Sequence, residues 1–275
     1  PPPLCFSPPS PPPATSQTQT SLITKASCEC EFLRNANGLL VRQGAEGKEC
    51  TPGSCSGSLD LGAFELSAID PAPFGQMSQL TILLLNLNQL TSLPSAVFND
   101  LWGLTNLILR NNQLTALPSG VFNNLKGLLF LRLDQNRLRS LPSGIFDQQT
   151  ELTQLHLQQN ELASLPDGVF NSLAKLQKLR LEYNKIKTLP PGIFTPLTSL
   201  VWVVVDKDLT CYPVLPSGRY YDPDGNLFEP KNMCGVGSST VASSASFSRG
   251  SPGLLGRFGM FVVGVLALAS QRAFR

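Results

Sequence analysis

Five asparagines, Asn88, Asn112, Asn136, Asn160 and Asn184, recur in the chain at a fixed interval of 24 residues. Around each of them runs the pattern L-x-x-L-x-L-x-x-N-x-(L/I)-x-x-L-P-x-x-(V/I)-F-x-x-L, complete at 80–103, 104–127, 152–175 and 176–199. The repeat at 128–151 carries Gln149 where the others have their last leucine. A unit this short cannot bury its own apolar residues, but a stack of such units can. The period therefore predicts a row of stacked coils.

The residue types of the repeat predict how each coil is built. The L-x-L segment is a short strand with side chains alternating between two sides, so Leu107 and Leu109 point inward while Ile108 points outward. The asparagine that follows lies where the chain leaves the strand, and its amide can bond backbone groups of that turn. Leu-Pro begins an extended return segment, and Val-Phe fills the convex side of the core. The consensus residues are thus assigned to the scaffold, and recognition to the positions between them.

The register continues beyond the five clear repeats at both ends. Leu59 and Leu61 lie in register with the strand leucines, and Phe64 stands at the asparagine position, so 56–79 is predicted to be a degenerate first coil. At the other end Asp208 replaces the asparagine and Cys211 follows it. The repeats are therefore expected to end at 210, since terminal coils have one neighbour and depart from the consensus.

The period and the L-x-x-L-x-L-x-x-N core are the signature of leucine-rich repeats. With LPSGVF on this period, residues 56–210 resemble extracellular leucine-rich repeat proteins, notably the variable lymphocyte receptors of jawless vertebrates and Toll-like and Slit-type ectodomains. The resemblance implies an α/β-type leucine-rich repeat solenoid, a right-handed, horseshoe-shaped superhelix. It implies a parallel β-sheet on the concave side, an irregular convex side and disulfide-closed caps. It also implies a receptor-like role, such as immune recognition, with the ligand bound by the concave face.

Cysteines flank the repeats on both sides, which predicts disulfide-closed ends and an oxidising compartment. The family's N-terminal cap usually carries four cysteines including a Cys-x-Cys, so the resemblance suggests two bridges within residues 28–55. Three pairings of those four stay open. In the 211–235 cap loop one bridge is expected, stabilising by about 3–4 kcal/mol. Cys5 is left over, either unpaired or paired between chains. The cap cysteines are Cys28, Cys30, Cys50, Cys55, Cys211 and Cys234.

The segments outside the repeats and caps differ in composition. Residues 1–27 are rich in Pro, Ser and Thr and are predicted to be a disordered or polyproline-type arm. Residues 236–253 are small and polar, as in a flexible linker. The hydrophobic tail 254–275 contains an apolar run of 12 residues, 258–269, about 18 Å if helical against the ~30 Å hydrocarbon core of a membrane. Three readings stay open for it: a GPI-attachment signal, a short membrane span, or neither.

Composition and the absence of known motifs argue against several classes of function, namely nucleic-acid binding, cofactor binding and catalysis. Charged residues make up 15% of the chain and the net charge is +2, too little to argue for nucleic-acid binding or for a strongly acidic partner. His156 is the only histidine and no Cys-x-x-Cys occurs, so neither a zinc site nor any other cofactor is expected. The chain lacks His-Glu-x-x-His, Gly-x-Ser-x-Gly and a phosphate-binding glycine loop. An enzyme is therefore not expected.

The outward columns of the predicted sheet vary while the consensus does not, which favours a binding surface. Aromatic residues and arginines beside apolar residues are typical of interface centres. We expect an extracellular or cell-surface protein, attached to the membrane if the tail anchors it, that binds a protein or glycan ligand through the concave face. The alternative is a structural or adhesive repeat protein without a discrete ligand. The candidate binding residues are Ile82, Leu84, Asn106, Ile108, Arg110, Phe130, Arg132, Asp134, Gln154, His156, Gln158, Lys178, Arg180, Glu182, Tyr183 and Trp202.

Overall fold

The structure is a computed structural model that describes residues 21–23, 30–35, 37–44, 56–71, 73–216, 219–230 and 232–234. Its strands are β1 (Ser21–Ile23), β2 (Cys30–Arg34), β3 (Leu39–Gly44), β4 (Ser56–Asp60), β5 (Ala68–Ile69), β6 (Gln79–Leu84), β7 (Asn106–Ile108), β8 (Phe130–Arg132), β9 (Gln154–His156), β10 (Lys178–Arg180), β11 (Trp202–Val204), β12 (Tyr220–Tyr221) and β13 (Leu227–Phe228). They form a four-stranded sheet, β1-β2-β3-β5, and a nine-stranded sheet, β13-β12-β11-β10-β9-β8-β7-β6-β4.

The nine-stranded sheet has one strand from each coil. From β4 to β12 every neighbouring pair is parallel, and only β13 runs antiparallel to its neighbour. Between β6 and β11 each residue pairs with the residue 24 positions later, as Ile82 does with Asn106. Among the described residues the chain between these strands forms turns and extended segments and no helix. The predicted solenoid, with a parallel sheet and an irregular opposite side, is confirmed.

The core lies between this sheet and a row of phenylalanines on the far side of each coil. Successive rings stack with centroids 6.3–6.5 Å apart, whereas paired strands lie about 4.8 Å apart. Equivalent atoms of neighbouring coils are thus more widely spaced on the phenylalanine side than on the strand side. A stack built this way must bend toward its strands, so the sheet forms the concave face.

The repeated asparagines join each coil to the one before it. In every repeat the side-chain amide donates to the carbonyls of the residues 3 and 27 positions earlier, at 2.8–3.1 Å. The side-chain oxygen accepts the backbone N–H of the residue 22 positions earlier, at 3.0–3.1 Å. These backbone groups have left the sheet and need partners. The predicted role of the asparagine amide is therefore confirmed.

Gln149 departs from the repeat inside the core. It is fully buried at the position where the other repeats have leucine, and its amide donates to the carbonyl of Phe122 at 2.6 Å. That carbonyl already accepts the N–H of Leu125. The side-chain oxygen of Gln149 is buried without a hydrogen-bond partner, which carries a desolvation cost.

Substituting Gln149→Leu is therefore expected to stabilise the protein by about 1–2 kcal/mol, because it removes an unsatisfied acceptor and orphans no backbone carbonyl. The midpoint of chemical denaturation followed by circular dichroism measures this. The matched variant Gln148→Leu changes an exposed neighbour and should leave the midpoint within error. A lower midpoint for Gln149→Leu would mean that its hydrogen bond outweighs the buried acceptor.

The N-terminal cap is a small sheet that covers the first coil. β1, β2 and β3 pair antiparallel, and β3 pairs in parallel with β5 of the first coil. Phe32 is buried and its ring lies 6.0 Å from that of Phe74, so it continues the phenylalanine row. Residues 1–27 were expected to be a disordered or polyproline-type arm, but Ser21–Ile23 form β1, because a short segment beside an open strand edge can pair with it. The cysteine pairings of this cap lie outside the described side chains.

The C-terminal cap closes the other end of the stack. A disulfide joins Cys211 to Cys234, as expected. The sheet continues beyond the last repeat, since β12 adds in parallel to β11 and β13 adds antiparallel to β12. The ring of Tyr220 lies 6.5 Å from Phe194 and 5.4 Å from Tyr212, so aromatic residues of the cap cover the last coil. This packing removes the open end that the last repeat would otherwise present to water.

The predicted linker 236–253 and hydrophobic tail 254–275 lie outside the described residues. In the part of the chain that the structure describes, there is no helix of the length and apolarity needed to cross a membrane.

Candidate functional site

The candidate binding residues fall into three groups by burial, and together they are called the sheet face here. Two columns on the strands are half-buried: Ile82, Asn106, Phe130, Gln154, Lys178 and Trp202 in one, and Leu84, Ile108, Arg132, His156 and Arg180 in the other. The third column follows the strands, and here Arg110 is half-buried whereas Asp134, Gln158 and Glu182 are buried. Tyr183 is exposed.

The first strands of the sheet face present an apolar surface. Ile82 and Ile108 lie on β6 and β7, and Leu84 pairs with Ile108 across them. Phe130 follows on β8, beside Asn106. Leu87, at the turn after β6, is 52% exposed. Half-buried apolar side chains in adjacent columns leave a continuous hydrophobic area at this end of the face.

The arginines of the second column lie over the carboxylates of the third. Arg132 donates one hydrogen bond to each carboxylate oxygen of Asp134, at 2.8 and 2.7 Å, whereas Nε and Nη2 of Arg180 both donate to Oε1 of Glu182. The arginine side chains stay 23% and 31% exposed while the carboxylates are 1% and 0% exposed. The expectation that both carboxylates would face a ligand is therefore wrong, because residues two apart on a strand share a side and the longer arginine covers its partner.

Arg110 adds a second cation to Asp134. Its Nη2 donates to the side-chain oxygen of Gln135 at 2.7 Å, and its Nε lies 3.6 Å from the Asp134 carboxylate. Two guanidinium groups thus share one buried carboxylate. Burial raises the pKa of Glu182, and the hydrogen bond from Arg180 opposes that rise.

His156 lies between the two arginines, paired with Arg132 on one strand and Arg180 on the other. Its ring packs edge-on against Phe130, with centroids 5.4 Å apart. Burial and then the charge of Arg132 lower the pKa of His156 to about 4, so the ring is neutral near pH 7. Both ring nitrogens are covered and have no hydrogen-bond partner among the described residues.

The far end of the sheet face is aromatic. The ammonium group of Lys178 lies 5.5 Å from the centre of the Trp202 ring, within the range of a cation–π contact. Tyr221 of the C-terminal cap packs edge-on against Trp202 at 5.8 Å and pairs with Val204 in the sheet. Sequence reasoning missed Tyr221, because the cap does not follow the repeat register.

A further column runs along the edge of the sheet face and includes Tyr183, with each member directly before a ladder asparagine or, in the first coil, before Phe64. Its members have a left-handed backbone with φ between 53° and 59°, although none is glycine: Ala63, Leu87, Asn111, Gln135, Gln159 and Tyr183. Tyr183, 53% exposed, donates its backbone N–H to the Asp206 carboxylate at 2.9 Å. This column turns large side chains such as Leu87 and Tyr183 outward along the rim of the face.

Residues 102–162 and 150–208 match the family model described as Leucine rich repeat. The coils within residues 102–208 are leucine-rich repeats.

Two solved structures are similar to part of this chain. A leucine-rich repeat protein of Leptospira interrogans is 29% identical over 55% of this chain and 37% of its own, with a TM-score of 0.49. The LRIM1/APL1C complex is 25% identical over 57% of this chain and 27% of the matched chain, with a TM-score of 0.46. The chain thus spans well under half the length of either. No curated protein matches the sequence.

The leucine-rich repeat solenoid leaves several polar atoms of the sheet face covered and without a hydrogen-bond partner. They are Arg110 Nε, both nitrogens of His156, Gln158 Oε1, Glu182 Oε2 and Trp202 Nε1. All lie on or directly after strands β7 to β11. Covered polar groups normally have partners, and most of the covered groups without one in the described residues lie on this face.

The other recesses lie away from this face. One of about 280 Å³ lies in the C-terminal cap beside Tyr212 and Phe228, and one of about 310 Å³ lies on the convex side near Gly120 and Gly144. Among the described residues no group of three or more His, Cys, Asp or Glu side chains could hold a metal ion. The sheet face is therefore the best-supported candidate for a binding site.

Proposed function

We propose that this chain is a non-catalytic recognition protein that binds a protein ligand through the sheet face. The observation that carries the proposal is that, within each coil, the consensus residues form the scaffold and the variable residues face outward. The consensus leucines and phenylalanines pack in the core, and the repeated asparagines form the asparagine ladder. The outward columns hold half-buried apolar, aromatic and arginine side chains, the composition that interface centres favour. A broad, open sheet suits a macromolecular ligand better than a small molecule, which binds in enclosed pockets.

A pull-down that uses the full chain as bait on native extracts tests this proposal. Phe130→Ala and Arg180→Ala each remove a half-buried side chain from the sheet face and should weaken capture of the same partner by at least about tenfold if they are central to the interface. Surface plasmon resonance with the captured protein measures the change in affinity.

Gln148→Ala is the matched control, since Gln148 is exposed on the convex side. It should leave binding unchanged. Equal loss of binding in the control and the face variants, or no specific partner at all, would favour the structural or adhesive alternative.

We also propose that the protein works outside the cell. The Cys211–Cys234 disulfide supports this, because such bonds persist in oxidising compartments. Labelling intact cells with a membrane-impermeant biotin reagent should modify the protein. Treatment with a GPI-specific phospholipase then tests the tail, since release into the medium indicates a lipid anchor and retention contradicts it. Absence of labelling on intact cells, with labelling after lysis, would overturn the extracellular location.

A further inference from the structure

The sheet face has four basic residues and two acidic ones, and its centre presents positive charge. Arg132 and Arg180 remain about one-quarter to one-third exposed, while Asp134 and Glu182 beneath them are covered. Lys178 is half-buried in the next column and lies over an aromatic ring. A net charge of +2 for the whole chain conceals this arrangement. An approaching molecule therefore meets guanidinium and ammonium groups first.

We propose that the sheet face binds an acidic segment of its protein partner, with carboxylates on Arg132 and Arg180 and apolar side chains on Ile82, Leu84 and Ile108. This inference rests on the proposed function and specifies the chemistry of the ligand.

The buried carboxylates prepare the arginines for such a ligand. Asp134 holds the Nε and Nη2 edge of Arg132, and Glu182 holds the same edge of Arg180. A guanidinium has five N–H donors, so the Nη1 edge of each arginine stays available for a second carboxylate. A side chain already fixed in one orientation loses little entropy when it binds.

The polar atoms around His156 match the same ligand. The ring lies between Arg132 and Arg180, and its nitrogens have no partner within the chain. A carboxylate bridging the two arginines would lie beside the ring, where its charge acts on the imidazole. Its negative charge would also offset the two guanidinium charges that now disfavour protonation of His156.

The apolar part of the face favours a protein segment over a sulfated polysaccharide. Ile108 and Arg180 lie three strands apart, about 14 Å at the usual strand spacing. An extended peptide covers that distance with about four residues. A segment with a large apolar residue and acidic residues at this separation would satisfy both parts of the face. A polysulfated chain would leave the half-buried Ile82, Leu84 and Ile108 without a counterpart.

Selection from a random peptide display library on the full chain tests the proposal. The selected peptides should be enriched in Asp and Glu a few residues from Leu, Ile or Phe. Their affinity should fall by at least about tenfold in the double variant Arg132→Gln/Asp134→Asn and in Arg180→Gln/Glu182→Gln. Each double variant removes one positive and one negative charge, so the net charge is unchanged and no buried carboxylate is left without its arginine.

Lys175→Gln/Glu151→Gln is the matched control. This pair is also an ion pair, at 2.6 Å, but it is exposed and lies away from the sheet face. It should leave peptide affinity unchanged. Peptides that bind the face, as judged by loss of binding in Phe130→Ala, but carry no acidic enrichment would overturn the inference and leave the proposed function intact. Failure to select any peptide sensitive to Phe130→Ala would overturn both, and tighter binding of heparin than of any selected peptide would overturn the protein segment as ligand.

The pH dependence of binding gives an independent test. The groups that face His156 are Arg132, Asp134, Lys178 and Arg180. A bound carboxylate raises the pKa of His156 above its free value of about 4, so binding takes up a proton and affinity should rise as the pH falls from about 7 to about 5. His156→Gln should abolish the rise. Affinity that is independent of pH in the unmodified chain would overturn the placement of a carboxylate beside this ring.

Discussion

Replacing Asn136 by alanine is expected to lower the free energy of unfolding by about 3–5 kcal/mol, because it leaves several buried backbone groups without partners. The Asn136 amide donates to the carbonyls of Leu109 and Leu133, and its oxygen accepts the N–H of Leu114. Alanine supplies none of these bonds and leaves no room for water to replace all of them, since the position is buried. Each orphaned group costs about 1–3 kcal/mol.

Chemical denaturation followed by circular dichroism measures the effect. Asn99→Ala is the matched control, because Asn99 is exposed and the bonds in which it takes part use its backbone groups. It should change stability by less than about 0.5 kcal/mol. Equal stability of the two variants would contradict the role assigned to the asparagine ladder. Because repeat arrays can unfold in parts, the transition should be compared by two probes before a single free energy is extracted.

The sequence predicts the scaffold because each scaffold residue does the same job in every coil. A leucine, an asparagine or a phenylalanine that recurs every 24 residues points to one position in a stacked structure. The strands, their parallel order and the inward leucines follow from that register alone. The curvature of the sheet follows as well, because the large phenylalanine side chains require a wider spacing between coils than the paired strands do.

The charge arrangement of the sheet face is harder to predict, although its signal is present. Side chains alternate along the strands, so Leu131 and Leu179 point inward while Arg132 and Arg180 point outward. The acidic residue two positions after each arginine lies on the same side as that arginine. Period-two reasoning therefore brings Arg132 next to Asp134 and Arg180 next to Glu182. Which member lies on top depends on side-chain length and packing, which the sequence pattern does not contain.

Other features leave no sequence signal. Leu87 and Tyr183 adopt a left-handed backbone, and neither residue type favours it. The turn geometry fixed by the neighbouring asparagine sets their conformation instead. Tyr221 joins the sheet face from the C-terminal cap, where no repeat register exists to place it. Contacts between residues far apart in the sequence therefore determine both the backbone conformation of Leu87 and Tyr183 and the position of Tyr221.

Removing the disulfide with the double variant Cys211→Ser/Cys234→Ser is expected to destabilise the protein by about 3 kcal/mol, because a loop of 23 residues regains its freedom in the unfolded chain. The loss should be concentrated at the C-terminal end, where β12 covers the edge of β11 and Tyr220 packs on Phe194. Amide hydrogen exchange should therefore quicken in β11 and β12 and stay slow in β8, since a stack of coils opens from an uncapped end. Reducing agent should lower the denaturation midpoint of the unmodified chain by more than that of the double variant, which retains only the cysteines of the N-terminal region. If exchange quickened equally in β8 and β11, the cap would be stabilising the whole solenoid as one cooperative unit rather than closing its end.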